Sequence, residues 1–367
     1  MEDRRLVVPA NDIDCEGSGF ETHELSRVSG SAKLASSVLA HAWDQAQLSS
    51  HRNRLDGRGH RERDPKTALV VGYSLAQLDN AFVHGDLPNQ ARGPYTLSTL
   101  RGNAITAPLA IRFGIAGGSH IVSSASATGG QAITTACHLI MAGQVDRVAV
   151  VCLDQFAHPE TERLMRVVGA VSDKPERQPL SEDRSGMRPV SAAAAMIFES
   201  EDSCHRRGLS PAVSWLSGAI RNDCHHLIAP EPSNTALLEA TQSTLEQAAY
   251  RPEDVHWLSL HATGTRAWDA IEADAVRRVF PNSPPHLSAF KRTFGHTLGA
   301  AGMFEGIMLV EALKLGIRSS PLENVDPTLG LNTSKHSTAS SALMWSAGMG
   351  GDVAVNLFGR HDGSTAR

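Results

Sequence analysis

Short apolar runs that stop at reactive side chains constrain this chain more than any other feature. Residues 68–72, 148–153, 255–260, 286–289 and 353–358 are too short for buried helices and read as strands. Two further short runs, at 5–9 and 120–122, read the same way. Between them lie stretches of helical period: Leu34, Val38, Leu39 and Ala42; Leu237, Leu238, Thr241, Leu245 and Ala248; residues 269–280; and Met303, Ile307, Val310 and Leu313. After Ser126, the positions Ile133, Ala136, Cys137 and Ile140 predict another helix, with Gly143 as its stop. Strand alternating with helix predicts an α/β protein with largely parallel sheets. Such sheets present reactive groups at strand ends. Ser126 falls at a strand-to-helix turn, and His261 stands directly after an apolar run.

Composition narrows the function classes. The chain has 367 residues, long enough for a large core, and a formal charge of -5, which offers no general attraction for nucleic acid. Aromatics make up only 5%, too few for a base-stacking platform. The five cysteines, Cys15, Cys137, Cys152, Cys204 and Cys224, are odd in number and show no CxxC spacing. A reducing compartment is expected, with neither a disulfide framework nor a zinc site. No stretch approaches the roughly 20 apolar residues of a membrane span, and the first residues lack the pattern of a secretory signal. These readings together predict a cytoplasmic protein. The polar loop at 49–66 is rich in arginine and reads as solvated, with an acidic partner protein as the alternative. His225 and His226, after Asn222-Asp223-Cys224, have the look of metal ligands, but a structural role is favoured and no metal site is assigned.

Four elements carry chemistry: Ser126 in ASATGG, His261 in HATGT, Lys291 in SAFKRT and His296 in GHTLGAAG. Taken singly, these read as an N-cap, two satisfied histidines and a surface charge. In this order and at these separations they resemble the β-ketoacyl synthase family. Asp269 and Glu272 follow HATGT as that family's pattern requires, and PLENVDPTLGLN and the glycine-rich turn at 348–353 extend the likeness. The resemblance is strongest after residue 100.

The resemblance implies a thiolase-like, five-layered αβαβα fold of two pseudo-symmetric halves, 1–203 carrying Ser126 and 204–367 carrying His261, Lys291 and His296. It implies catalytic roles for Ser126, His261, His296 and Lys291. Thr263 and Thr265 would line a phosphopantetheine tunnel with Met349 and Gly350, and the amides of Ser126 and Met349 would form an oxyanion hole. No cofactor of its own is implied, because the substrate rides on the phosphopantetheine of an acyl carrier protein. The expected partners are that carrier and a second subunit, in a homodimer or a heterodimer with a homologous ketosynthase.

Serine departs from the pattern, since the family's nucleophile is cysteine. A thiol has a pKa of about 8.5, which a helix terminus lowers into the working range. A hydroxyl is far less acidic and needs a general base. Ser191 where the family carries an acidic residue, and Met349 where it carries an aromatic one, also depart from it. The expected function is therefore a ketosynthase-like acyltransferase or condensing-enzyme homologue acting on acyl- or malonyl-carrier thioesters, in fatty acid or polyketide synthesis. Acyl transfer or decarboxylation is expected over efficient condensation. The alternative is a non-catalytic subunit of the chain-length-factor type, paired with an active ketosynthase.

Overall fold

A computed structural model describes residues 28–48, 62–76, 78, 96–155, 158–174, 176–282, 284–317, 322–332 and 339–361. The strand expected at 5–9 and most of the arginine-rich loop lie outside these residues.

Two sheets form the frame. The first holds β1 (Thr67–Gly72), β2 (Ser119–Val122), β3 (Arg147–Asp154) and β4 (Ala192–Glu199), in the order β2-β1-β3-β4. The second holds β5 (Val213–Asn222), β6 (Trp257–Ser259), β7 (His286–Ser288), β8 (Ser341–Ala347) and β9 (Asp352–Arg360), in the order β5-β9-β8-β6-β7. The first four strands of each sheet, counted from β2 and from β7, follow one pattern: two parallel pairings and then an antiparallel one.

The sheets are thus more mixed than the largely parallel arrangement predicted. β4 runs antiparallel to β3, and β9 runs antiparallel to both β8 and β5. The reason is local. β8 and β9 are joined by the tight turn Gly348–Gly351, a hairpin connection available only to antiparallel neighbours. The first half of β4, Ala192-Ala193-Ala194-Ala195, has no β-branched residue to mark it as a strand, and its position opposite β3 decides its conformation.

Helices α1 (Gly30–Gln45), α2 (Thr96–Leu100), α3 (Thr106–Phe113), α4 (Thr128–Met141), α5 (Pro159–Val167), α6 (Glu201–Arg206), α7 (Thr235–Gln247), α8 (Arg266–Val279), α9 (Lys291–Phe294) and α10 (Ala301–Leu315) complete the described elements. Three cores separate them into layers. Trp43 of α1 and Phe113 of α3 pack with Leu69 and Leu153 on the outer face of the first sheet. Leu237 of α7 and Val276 of α8 pack with Leu258 and Leu343 on the outer face of the second. Between the sheets, α4 and α10 share a core of Ile133, Met303, Leu309, Val150 and Met344. The layering is therefore αβαβα, as the resemblance implies.

The two central helices cross with almost no space between their backbones. A Cβ on Gly302 would lie 2.4 Å from the Gly130 amide nitrogen, and one on Gly129 would lie 2.4 Å from that of Met303. These glycines belong to the two motifs ATGG and GHTLGAAG, so the crossing locks both motifs to each other. Gly302→Ala must push the helices apart and is expected to cost about 1–3 kcal/mol. A urea midpoint equal to that of the unchanged protein would show that the crossing has slack.

Candidate active site

The turn from β2 into α4 presents Ser126 half-buried at the helix N-terminus, where the helix dipole favours negative charge. Ala125 adopts a left-handed φ of 46°, sharpening the turn. Gly348 fits beneath it: a Cβ there would sit 2.4 Å from the Ser124 carbonyl and 3.2 Å from the Ser126 amide nitrogen. Ala262, after His261, and Leu298, two residues after His296, are also left-handed, at 42° and 45°. Strained non-glycine backbone of this kind collects where the surrounding structure holds side chains in a fixed aim.

His261 and His296 meet edge to face with ring centres 5.6 Å apart, and both are buried. Each is fixed from behind. The Glu272 carboxylate accepts the backbone amides of His261 and, at 2.8 Å, Ala262. Burial pushes the Glu272 carboxyl up to about 8 against the pull of those amides. Asp269 accepts from Leu180 at 2.7 Å and Gly264 at 3.0 Å, which pins the rest of HATGT, and burial raises it to about 6. Asp154, at the end of β3, accepts from the amides of Ser74, Leu75 and Ala76 and, at 2.7 Å, of Gly299. It thereby ties the loop of His296 in one half to the sheet of the other.

The tautomers follow from these contacts. Leu298 N–H donates to His296 Nδ1 at 3.1 Å, so the proton of the neutral ring is on Nε2. That Nε2 is buried and has no hydrogen-bond partner among the described residues. His261 Nδ1 faces the Lys291 ammonium at 3.4 Å, which leaves its Nε2 as the donor. Lys291 is buried and paired with Glu305. Burial, then Lys291, holds both histidines well below the usual imidazole range, and His296 further lowers His261. The pair is therefore neutral, with two N–H donors.

A cavity of about 250 Å³ opens on this site. Ser126, His261, Thr263, Thr265 and Met349 line it together. Lys291 and His296 lie behind Thr263, beside a separate small cleft. Gly350, expected in the tunnel wall, is exposed at the tip of the turn, and its carbonyl accepts from the Asn222 amide. Its neighbours Gly348, Met349 and Gly351 line the cavity instead. His226 Nδ1 accepts from the amides of Ile228 and Ala229 and holds a turn at the cavity rim. The motif reading missed Glu305 and Asp154. An acid early in the apolar run of α10, and another closing the apolar run of β3, are the signals that mark them.

Residues 3–203 match the family profile "Beta-ketoacyl synthase, N-terminal domain", and residues 214–322 match "Beta-ketoacyl synthase, C-terminal domain". The chain belongs to the β-ketoacyl synthase family. Within it, the chain is 28% identical over 310 residues to "3-oxoacyl-[acyl-carrier-protein] synthase I, chloroplastic" of Arabidopsis thaliana, covering 80% of this chain and 65% of that one. The chain thus spans just under two thirds of that relative. It is 29% identical over 302 residues to "Polyketide biosynthesis malonyl-ACP decarboxylase PksF" of Bacillus subtilis, covering 79% and 69%. "The ishigamide ketosynthase/chain length factor" has the same fold, with a TM-score of 0.77 at 22% identity over 92% of this chain and 83% of that one.

The depressed histidines have a pH consequence. A histidine whose folded pKa lies below its unfolded value contributes stability that is present above about pH 6.5 and lost as acid charges the unfolded chain. Between pH 6.5 and 8 the His261 and His296 ring resonances are expected to stay at neutral-imidazole positions. A titration midpoint near 6.5 for either ring in NMR would contradict the geometry.

Proposed function

We propose that this protein decarboxylates malonyl thioesters presented on the phosphopantetheine of an acyl carrier protein. The observation that carries the reading is the buried, unpartnered Nε2–H of neutral His296 beside His261. A buried donor without an acceptor is costly, and a substrate oxygen is the natural partner.

The chemistry needs what the site supplies. The bond between the malonyl Cα and its carboxylate breaks, and the electron pair moves onto the thioester carbonyl to give an enolate. Carbon dioxide leaves, and Cα takes a proton from solvent, yielding an acetyl thioester. Two N–H donors at the carbonyl oxygen stabilise the enolate as its charge grows. Lys291 adds a positive charge behind His261, and Glu305 keeps that charge in place.

Ser126 fits this step better than it fits acyl transfer. Among the described residues no hydrogen bond joins its hydroxyl to either histidine, whose ring contacts run to Lys291 and to the Leu298 amide. Imidazoles held well below their usual range are also weak bases. The hydroxyl thus has the helix dipole and little else to activate it. Decarboxylation does not require an acyl-enzyme, so the step survives the substitution. Thr263 and Thr265 would contact the pantetheine arm, and a second subunit would cover the free edge of β2, where Ile121 is 42% exposed.

Malonyl-carrier incubated with the protein is expected to become acetyl-carrier, with no mass added to the protein. His296→Ala should lower that rate about 10²–10³-fold. Ser126→Cys should gain an acyl adduct from acyl-carrier in intact-protein mass spectrometry. An adduct on unchanged Ser126 would replace this reading with acyl transfer. Neither adduct nor conversion, together with a 1:1 complex with a homologous ketosynthase, would replace it with the chain-length-subunit reading.

A further inference from the structure

Among the described residues, Trp268 is the one large aromatic side chain in the cavity wall, and its buried indole Nε1–H has no hydrogen-bond partner. It stands in the first turn of α8, and its ring meets His261 edge to face with centres 5.6 Å apart. The His261 ring therefore touches the rings of two residues whose buried N–H donors, His296 Nε2 and Trp268 Nε1, have no hydrogen-bond partner among the described residues. A malonyl thioester brings two oxygen-bearing groups to such a site. One is the carbonyl that becomes the enolate, and the other is the carboxylate that departs.

We propose that the Trp268 indole N–H holds the departing carboxylate of the malonyl group. The inference rests on the decarboxylation reading and names the residue that receives the group lost. Its argument is the charge of the wall. No lysine or arginine lines the cavity among the described residues, while Val168, Ile228, Ala236 and Val353 make it apolar and Asp223 and Glu231 add negative charge. A cation at the carboxylate would stabilise the ground state more than the transition state, in which that charge leaves, and would slow the reaction. A single neutral donor in an apolar wall fixes the rotation of the carboxylate about its bond to Cα without that penalty. It can turn the breaking bond perpendicular to the thioester plane, where its electron pair overlaps the carbonyl. The carbon dioxide formed is uncharged and suits the same apolar wall.

The test separates the N–H from the bulk of the ring and from the turnover itself. Trp268→Phe keeps a ring and removes the donor, and its fold is checked by circular dichroism and thermal melting. Binding is measured with the malonyl and acetyl amides of pantetheine, in which nitrogen replaces sulfur so that the malonyl group persists. Trp268→Phe is expected to weaken the malonyl amide about tenfold, the effect of one hydrogen bond to a charged acceptor, and to leave the acetyl amide unchanged. Turnover of malonyl-carrier should fall about 10-fold or more in the same variant. Equal losses on both amides, or no loss on either, would overturn the assignment and leave the indole as a wall of the pocket. A protein that does not turn over malonyl-carrier, yet loses malonyl-amide preference on Trp268→Phe, would sink the decarboxylation reading while keeping the carboxylate contact.

Discussion

Everything in the site depends on the contact between α4 and α10. Ser126 comes from one half of the chain, and the histidines and the lysine come from the other. Only a crossing of fixed distance can hold them in one constellation. Glycine at 129 and 302 brings the two backbones to a separation that a single Cβ would breach, while a Cβ on Gly130 would meet Ser346 of β8. Backbone packed that closely does not slide, because every displacement meets a hard contact. Asp154 reinforces the crossing from the side by holding Gly299 and the 74–76 loop with one carboxylate. The glycines conspicuous in the sequence motifs are thus structural. The reactive residues stand beside them because that is where the structure is stiffest.

On this frame the electrostatics are arranged in depth. Glu305 pairs with Lys291, Lys291 faces His261, and His261 faces His296. A charged lysine in an apolar interior is tolerable only with its partner, and the partner is buried with it. Burial, and then the lysine's positive charge, keep both imidazoles neutral, and a neutral imidazole with Nδ1 engaged has one donor left to offer. The arrangement is built for donating hydrogen bonds and poorly built for accepting protons. That distinction separates the two fates of a serine at this turn. A thiol loses its proton with modest help from a helix terminus, whereas a hydroxyl needs a base this pair does not provide. On the proposed reading, Ser126 lacks the base that acyl transfer needs, while the N–H donors that would stabilise an enolate are retained.

Much of this was legible in the sequence, and the reasons differ from residue to residue. The helices at 133–140 and 303–313 announce themselves by period, because each packs one continuous face into the central core. His261 was readable as a strand-end residue, and it follows β6 by two positions. The start of strand β4 was not readable, since its run of four alanines has no intrinsic preference for a sheet and is extended by its pairing with β3. The mixed sheet order was likewise hidden, because strand direction is set by the crossovers and not by residue type. Glu305 and Asp154 were visible as residues but not as participants, because a buried carboxylate is recognised by its partners, and those are remote in sequence. The partner of Glu305 lies on α9, and those of Asp154 lie on two loops from different halves. Gly350 was assigned to the cavity from its motif, and the turn carries it past the wall to the surface, where Asn222 holds its carbonyl.

The cavity and the histidine pair, taken together, also set what the site can accept. A wall that is mostly apolar, carries Asp223 and Glu231 and has no lysine or arginine among the described residues is a poor place to keep a carboxylate. Removing it turns an expensive buried charge into a neutral molecule, while the charge that remains moves to an oxygen already faced by N–H donors. On the proposed decarboxylation reading, the negative charge would move from the unfavourable end of the site to the favourable end, a gradient that would lower the barrier without any covalent participation by the protein. A saturated acyl thioester carries no such charge and gains nothing from the gradient. On the same reading, selectivity for a substrate with a β-carboxylate would follow from the arrangement of Lys291, the two histidines and the cavity wall proposed to drive the chemistry.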